Sequence, residues 1–209
     1  MNKTILSLAL FLMACLRLAA QTTTTRSLPA FDGISIAGGF EHVYLKEGSA
    51  EGIVIEVSGI DADKIKTEVK GSTLEIGVKK GWHGNFKSTL TITYRQIKAL
   101  SSSGSSDVEA LSVLKGDAFA YACSGSGDFK ATFEVSKLEA SISGSGDMVL
   151  KGKAGKQDFS ISGSGDIQAH ELKGDSAEVS ISGSGDVSLQ VDGQVRSSVS
   201  GSGRVTNKG

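Results

Sequence analysis

A turn of the form Ser-Gly-Ser-Gly-Asp returns along the second half of this 209-residue chain, and its spacing restricts the fold more than any other feature. The heptapeptide SISGSGD stands at Ser141 to Asp147, Ser160 to Asp166 and Ser180 to Asp186, with looser copies on both sides. Aligned on the first turn glycine, six copies place Gly104, Gly125, Gly144, Gly163, Gly183 and Gly201 in register, 21, 19, 19, 20 and 18 residues apart. A period near twenty, sustained this long, is the mark of a solenoid, in which each repeat buries its apolar face only by stacking on the next.

Between the turns, apolar and polar residues alternate, as in EASIS, DFSIS, EVSIS and DVSLQV. Period two belongs to strands, and no helical stripe of useful length interrupts it. The sequence therefore predicts an all-β chain, a parallel β-helix whose regular coils of about 19 to 20 residues stack about 4.8 Å apart. The 27 glycines against a single proline fit this reading, because they gather at the turns as corner residues and do not form linker-like runs.

Stacking turns the repeat into columns. Cys123, Ile142, Ile161, Ile181 and Val199 form one, and Val108, Phe129, Met148, Ile167, Val187 and Val205 form another. Both are expected to point inward, each fully buried member contributing roughly 1.5 to 3 kcal/mol. Cys123 is read as a small core residue. Continued alternation would turn Ile142, Gly144, Gly146 and Met148 inward and Ser143, Ser145 and Asp147 outward. The glycines are needed either because the corner has no room for a side chain or because it requires positive φ, and the sequence leaves both reasons open.

The same stacking puts Asp107, Asp128, Asp147, Asp166 and Asp186 in one outward ladder. Neighbouring carboxylates about 4.8 Å apart repel by roughly 1 kcal/mol in bulk water and more in a lower dielectric, so a compensating partner is expected. Turn amides and serine hydroxyls are the favoured partners. A calcium ladder on these five aspartates is the alternative, but one carboxylate per coil is a thin supply for a cation that takes six to eight oxygens. In the last copy, SGSGRV, Arg204 replaces the aspartate and is placed to pair with Asp186. The outward serines form hydroxyl rows that lack the methyl groups of ice-binding threonine rows.

Residues 28 to 100 show strands without the period, as in GISIAG, EHVYLKEG, GIVIEVSG and STLTITYRQIKAL. Longer, less regular coils closing one end of the solenoid are expected there, ahead of the repeats at 101 to 209. The segment KGWHGNF, Lys80 to Phe86, reads as an exposed loop in which Trp82 and His83 form a recognition tip, or Trp82 folds down as a lid. Residues 1 to 20 have the basic residue, apolar run and small-residue end of a signal peptide, cut after Ala20. LMAC offers a lipid anchor at Cys15 as the alternative. Residues 21 to 27 read as a polar tether, and 28 to 209 as a single solenoid domain. Removal of the leader would leave Cys123 as the only cysteine, with no intramolecular disulfide.

Signals for catalysis are weak. His42, His83 and His170 have no metal-like spacing, Asp61 and Asp63 sit in a polar turn, and GSGD opens no helix that would hold a phosphate. A net charge of −1 gives no footprint for nucleic acid. No catalytic residue, metal or cofactor is expected.

The stretches FDGISIAGGFEHVYLKEG and VIEVSGIDADKIKTEVKGSTLEI, followed by the chain of SGSGD turns, resemble the putative autotransporter-adhesin head GIN domain family of exported proteins from Bacteroidetes and their relatives. The resemblance runs from about Leu28 to Arg204. It implies a right-handed parallel β-helix and an exported location, periplasmic, outer-membrane-associated or secreted. It brings no catalytic residues. The functional expectation is a non-enzymatic, adhesin-like module presenting serine and aspartate ladders to glycans, peptidoglycan or envelope proteins. The alternatives are a structural module that associates end to end as a homodimer, and a carbohydrate-active β-helix enzyme.

Overall fold

The computed structural model describes residues 21 to 81 and 84 to 209. The expected signal peptide with its expected cleavage after Ala20, the alternative anchor residue Cys15, and Trp82 and His83 all lie outside the described residues. In chain order the strands are β1 (Thr22–Ser27), β2 (Gly33–Gly38), β3 (His42–Glu47), β4 (Gly52–Ser58), β5 (Ile65–Lys70), β6 (Thr73–Val78), β7 (Lys87–Tyr94), β8 (Ala99–Gly104), β9 (Asp107–Ala110), β10 (Leu114–Gly125), β11 (Phe129–Gly144), β12 (Met148–Gly163), β13 (Ile167–Gly183), β14 (Val187–Gly201) and β15 (Val205–Asn207).

From β8 onward every pairing is parallel and each coil lies on the last, so the chain is a β-solenoid. The aligned glycines stack as expected: Gly125 pairs with Gly104 and Gly144, and Gly163 with Gly144 and Gly183. Both apolar columns face inward. Cys123, Ile142, Ile161 and Ile181 are buried, as are Val108, Phe129, Met148, Ile167 and Val187, while Val199, the last of its column, is 42% exposed.

Strict alternation fails once per coil. Val135 and Leu138 are both buried, so the inward parity shifts across Ser136 and Lys137, where the chain turns a second corner. Coils of unequal length stay stacked because β13 absorbs the difference through register shifts against β12 and β14.

The first half extends the solenoid out of chain order. Strands β2 and β3 form a coil directly beneath β8 and β9, pairing Gly38 with Gly104 and Val43 with Val108. The segment IAGGFEH is thus a further copy of the corner, displaced 66 residues from Gly104 by an insertion. Within that insertion β6 and β7 form another coil outside β2 and β3. Antiparallel β5 and β4 then cover β6 and β7. This end is closed, as expected, but by antiparallel strands that a purely parallel helix would not contain.

Residues 21 to 27 are not a tether. Thr22–Ser27 is a six-residue edge strand paired antiparallel to β4 from Thr22↔Val57 to Ser27↔Gly52. Threonine suits a pleated, half-exposed edge. Arg26 fixes its position, donating through Nη1 to the Ile65 carbonyl (2.7 Å) and Thr67 Oγ1 (2.8 Å) and through Nη2 to the Ala62 carbonyl (2.8 Å). Those acceptors belong to β5 and to the short 3-10 turn Ala62–Lys64, the polar turn expected around Asp61 and Asp63.

Candidate binding face

The glycine-serine corner is shaped by the coil beneath it. A Cβ built on Gly144 would lie 2.1 Å from the Gly125 carbonyl oxygen, and one on Gly146 would lie 2.2 Å from that of Gly127. The first glycine of the turn also has positive φ, +143° at Gly144 and +139° at Gly163, whereas the second carries no such requirement. Two glycines therefore stand for two combinations of reasons: close approach with a special backbone at the first, close approach alone at the second. The variant copy at Ser103 to Asp107 shows what relaxes the rule. Ser106 takes the second-glycine position, fully buried, where its hydroxyl donates to the Gly38 carbonyl (3.1 Å) and accepts the Phe40 N–H (2.9 Å).

The aspartate ladder holds neighbouring coils together. Oδ1 of Asp107, Asp128, Asp147 and Asp166 accepts the backbone N–H of Asp128, Asp147, Asp166 and Asp186 in turn, at 3.1, 3.0, 2.9 and 2.8 Å. Asp186 accepts the Arg204 N–H at 2.8 Å. Compensation thus comes from the amide of the next coil, rather than from the serine hydroxyls of the same turn. A hydrogen bond to a charged group contributes about 1.5 to 3 kcal/mol, which outweighs roughly 1 kcal/mol of repulsion between exposed neighbours. Aspartate has the right length to reach one coil upward. The contact of Arg204 with Asp186 is made by its main chain, not by the expected side-chain pairing. Among the described residues no group of three or more His, Cys, Asp or Glu side chains is arranged to hold a metal ion.

On the sheet leading into each corner, the outward residues form a nearly unbroken serine surface. One column contains Ser103, Ser124, Ser143, Ser162, Ser182 and Ser200, all exposed. The adjacent column contains Ser101, Ala122, Ser141, Ser160, Ser180 and Ser198. The corner serines, Ser126, Ser145, Ser164 and their counterparts, add a third exposed row. Of the first two columns only Ser103 and Ser141 approach a protein acceptor, each at 3.5 Å from a backbone carbonyl. The remaining hydroxyls in these columns are directed to whatever lies outside. Beside them runs a column of different character: Ala99, Ala120, Glu139, Asp158, Glu178 and Arg196.

Other chemically capable groups are taken up by the core or separated. The Cys123 thiol is buried, donates to the Gly127 carbonyl at 3.4 Å and has its pKa pushed up by burial. Tyr121, buried beside it, is pushed up for the same reason and stacks on Phe129 with centroids 4.0 Å apart. His42 lies on β3 and His170 on β13, with β9, β11 and β12 between them in the sheet.

With this geometry established, comparison with known proteins is decisive for the family. The family described as "Putative auto-transporter adhesin, head GIN domain" matches residues 30 to 209. The chain belongs to that family. Head GIN domains are grouped with adhesins, and such membership points to an exported or envelope protein. Comparison with curated proteins gave no match. Among solved structures, a putative adhesin from Bacteroides fragilis is similar at 23% identity with a TM-score of 0.81, covering 90% of this chain and 97% of its own. A putative lipid binding protein from Parabacteroides distasonis is 20% identical with a TM-score of 0.68 over 90% and 97% of the two chains. A putative adhesin from Parabacteroides merdae is 21% identical with a TM-score of 0.58 over 90% and 96%. These likenesses establish the shared fold, and the names carried by the family and these structures are those of adhesins or a lipid-binding protein rather than enzymes.

Sequence reasoning found the serine rows and the aspartate ladder but missed the Ala-to-acid column beside them. Its signal was present in EASIS, DFSIS and EVSIS, where Glu139, Asp158 and Glu178 occupy one repeat position. The position becomes meaningful only once Ala99 and Ala120 are stacked beneath it.

Proposed function

We propose that this head GIN domain is a non-enzymatic adhesion module of the cell envelope that binds glycans through its serine face. The observation that supports this most is the pair of exposed serine columns, repeated over successive coils and free of strong intramolecular hydrogen bonds. A hydroxyl both donates and accepts, which matches the hydroxyls of a saccharide. Repetition about every 4.8 Å lets a chain-like partner make many weak contacts at once. In this reading the first twenty residues direct export and are removed after Ala20, with acylation of Cys15 as the alternative route to the envelope. Peptidoglycan and envelope glycoproteins are partners of the same chemistry.

The test is a glycan and peptidoglycan binding panel with purified residues 21 to 209. Replacing Ser162 by Ala should barely change binding, whereas replacing Ser143, Ser162, Ser182 and Ser160 together should weaken it strongly. Equal binding by the parent and the fourfold variant would remove the serine face from the account. A second reading, end-to-end association, is favoured by Val199, whose 42% exposure leaves an apolar column open at its last member. Sedimentation velocity across a wide concentration range tests it: a Val199-dependent dimer supports association, and a monomer throughout opposes it.

A further inference from the structure

The serine face is interrupted by a depression of about 580 Å³ over its N-terminal coils. Its origin is a local loss of side chains. Gly33, Ala99 and Ala120 stack in one column, and Ala122 replaces the serine of the next. The floor therefore spans β2, β8 and β10, about 10 to 14 Å across strands spaced about 4.8 Å apart. Thr73 bounds it on the N-terminal side, and Glu139 and Asp158 on the other. Its volume falls within the range of about 300 to 1,000 Å³ common for small-molecule sites.

From this arrangement the geometry points to a saccharide-binding subsite that holds one or two rings of a neutral glycan, with Asp158 as its principal hydrogen-bond acceptor. The inference rests on the glycan-binding reading of the serine face and specifies where a ring would seat. The alanine methyl groups offer a shallow apolar floor to the C–H face of a pyranose. Thr73, Ser101 and Ser160 bring hydroxyls to the rim. Lys137 is paired closely with Glu139 and interacts with Asp158 only at longer range, so the Asp158 carboxylate oxygens remain available to accept from two neighbouring sugar hydroxyls. Desolvating that carboxylate beside a uronic or sialic acid would add like-charge repulsion, which selects neutral sugars. The bare floor is confined to these coils, because Glu139, Asp158 and Glu178 fill the equivalent position farther along.

Calorimetric titration and ligand-observed NMR with lactose, maltose and cellobiose, against digalacturonic acid, test the assignment. The variants are Ala120→Gln, which fills the floor, Asp158→Asn, and Lys173→Ala, an exposed residue outside the serine columns, as a control. Thermal unfolding shows that each is folded, and Ala99→Gln replaces Ala120→Gln if the latter is destabilised. At least one neutral disaccharide should bind the parent, with affinity falling about tenfold or more in Ala120→Gln and Asp158→Asn and less than about twofold in Lys173→Ala. Unchanged affinity in the floor-filling variant overturns the subsite. If multi-serine variants then still lose glycan binding, the face survives and only the subsite falls. Preference for digalacturonic acid overturns the neutral-sugar assignment, and no saccharide binding by any form overturns both readings.

Discussion

Gly165 and Gly116 separate the two reasons a solenoid needs glycine. At Gly165 a Cβ would lie 2.1 Å from the Gly146 carbonyl oxygen and 3.1 Å from its carbon, without a positive φ. At Gly116 φ is +150° and nothing lies within 4 Å of the added atom. Gly165→Ala must therefore push two coils apart by about 1 Å, an overpacking that costs about 1 to 3 kcal/mol. The displacement also loads the hydrogen bonds that close the corner, Ser164 N–H to Gly144 O at 2.9 Å and Asp166 N–H to Asp147 Oδ1 at 2.9 Å. Weakening both adds about 1 to 2 kcal/mol, for a total of about 2 to 5 kcal/mol. Gly116→Ala meets only the backbone penalty, about 1 to 2 kcal/mol. Urea unfolding gives the two losses directly, and calorimetry should show Tm falling by about 4 to 20 °C for Gly165→Ala and by about 2 to 8 °C for Gly116→Ala. Equal losses, or a larger loss at Gly116, would refute the carbonyl-contact explanation of the second turn glycine.

Further predictions follow from the core, the aspartate ladder and a surface ion cluster. Ile161→Asp places an unpaired carboxylate where the native side chain is 1% exposed, so it should cost at least about 3 kcal/mol or prevent folding; wild-type Tm would show that the inward register is wrong. Asp147→Ala removes the acceptor of the Asp166 amide and should cost about 1 to 3 kcal/mol in urea unfolding, while Asp147→Asn, which keeps an oxygen at that place, should cost clearly less. Calcium should leave Tm unchanged in the parent and in Asp147→Asn. Glu75 is held at about 2 by hydrogen bonds from Lys66 and Lys70, from an ordinary value of 4.5. Because the folded-state pKa is depressed, its stabilising effect is present above pH 4.5 and is lost as pH falls toward about 2. Carboxyl NMR titration should show a midpoint near the lower value, and Glu75→Gln should flatten the acid limb of the stability curve.

Periodicity made the repeat half of this fold legible. Six aligned glycines determine the coil register, and from it follow the inward Ile142, Ile161 and Ile181 and the outward serines and aspartates. The second corner was harder to see, because its residues change from coil to coil: Ser136 and Lys137 stand where the next coil has Gly155 and Lys156. The N-terminal half hid its relation to the repeats for a topological reason. Gly38 belongs under Gly104, yet an antiparallel hairpin system and an extra coil are inserted between them, and sequence spacing does not report such a detour. Thr22–Ser27 misled because a polar low-complexity stretch suits a tether and a solvated edge strand equally; Arg26, with three acceptors on and beside β5, decides between them. The depression over Ala99 and Ala120 depended on the same hidden coil, because Gly33 completes its floor.

Amide chemical-shift mapping with the neutral disaccharide that binds most tightly tests the central claim most directly. The account predicts that the shifts concentrate on the outward serine columns and the rim of the depression, from Ser101 and Ala120 to Asp158 and Ser160. Shifts concentrated instead on the strand segments around Lys151, Lys153 and Lys173, or on residues 79 to 86, would contradict it.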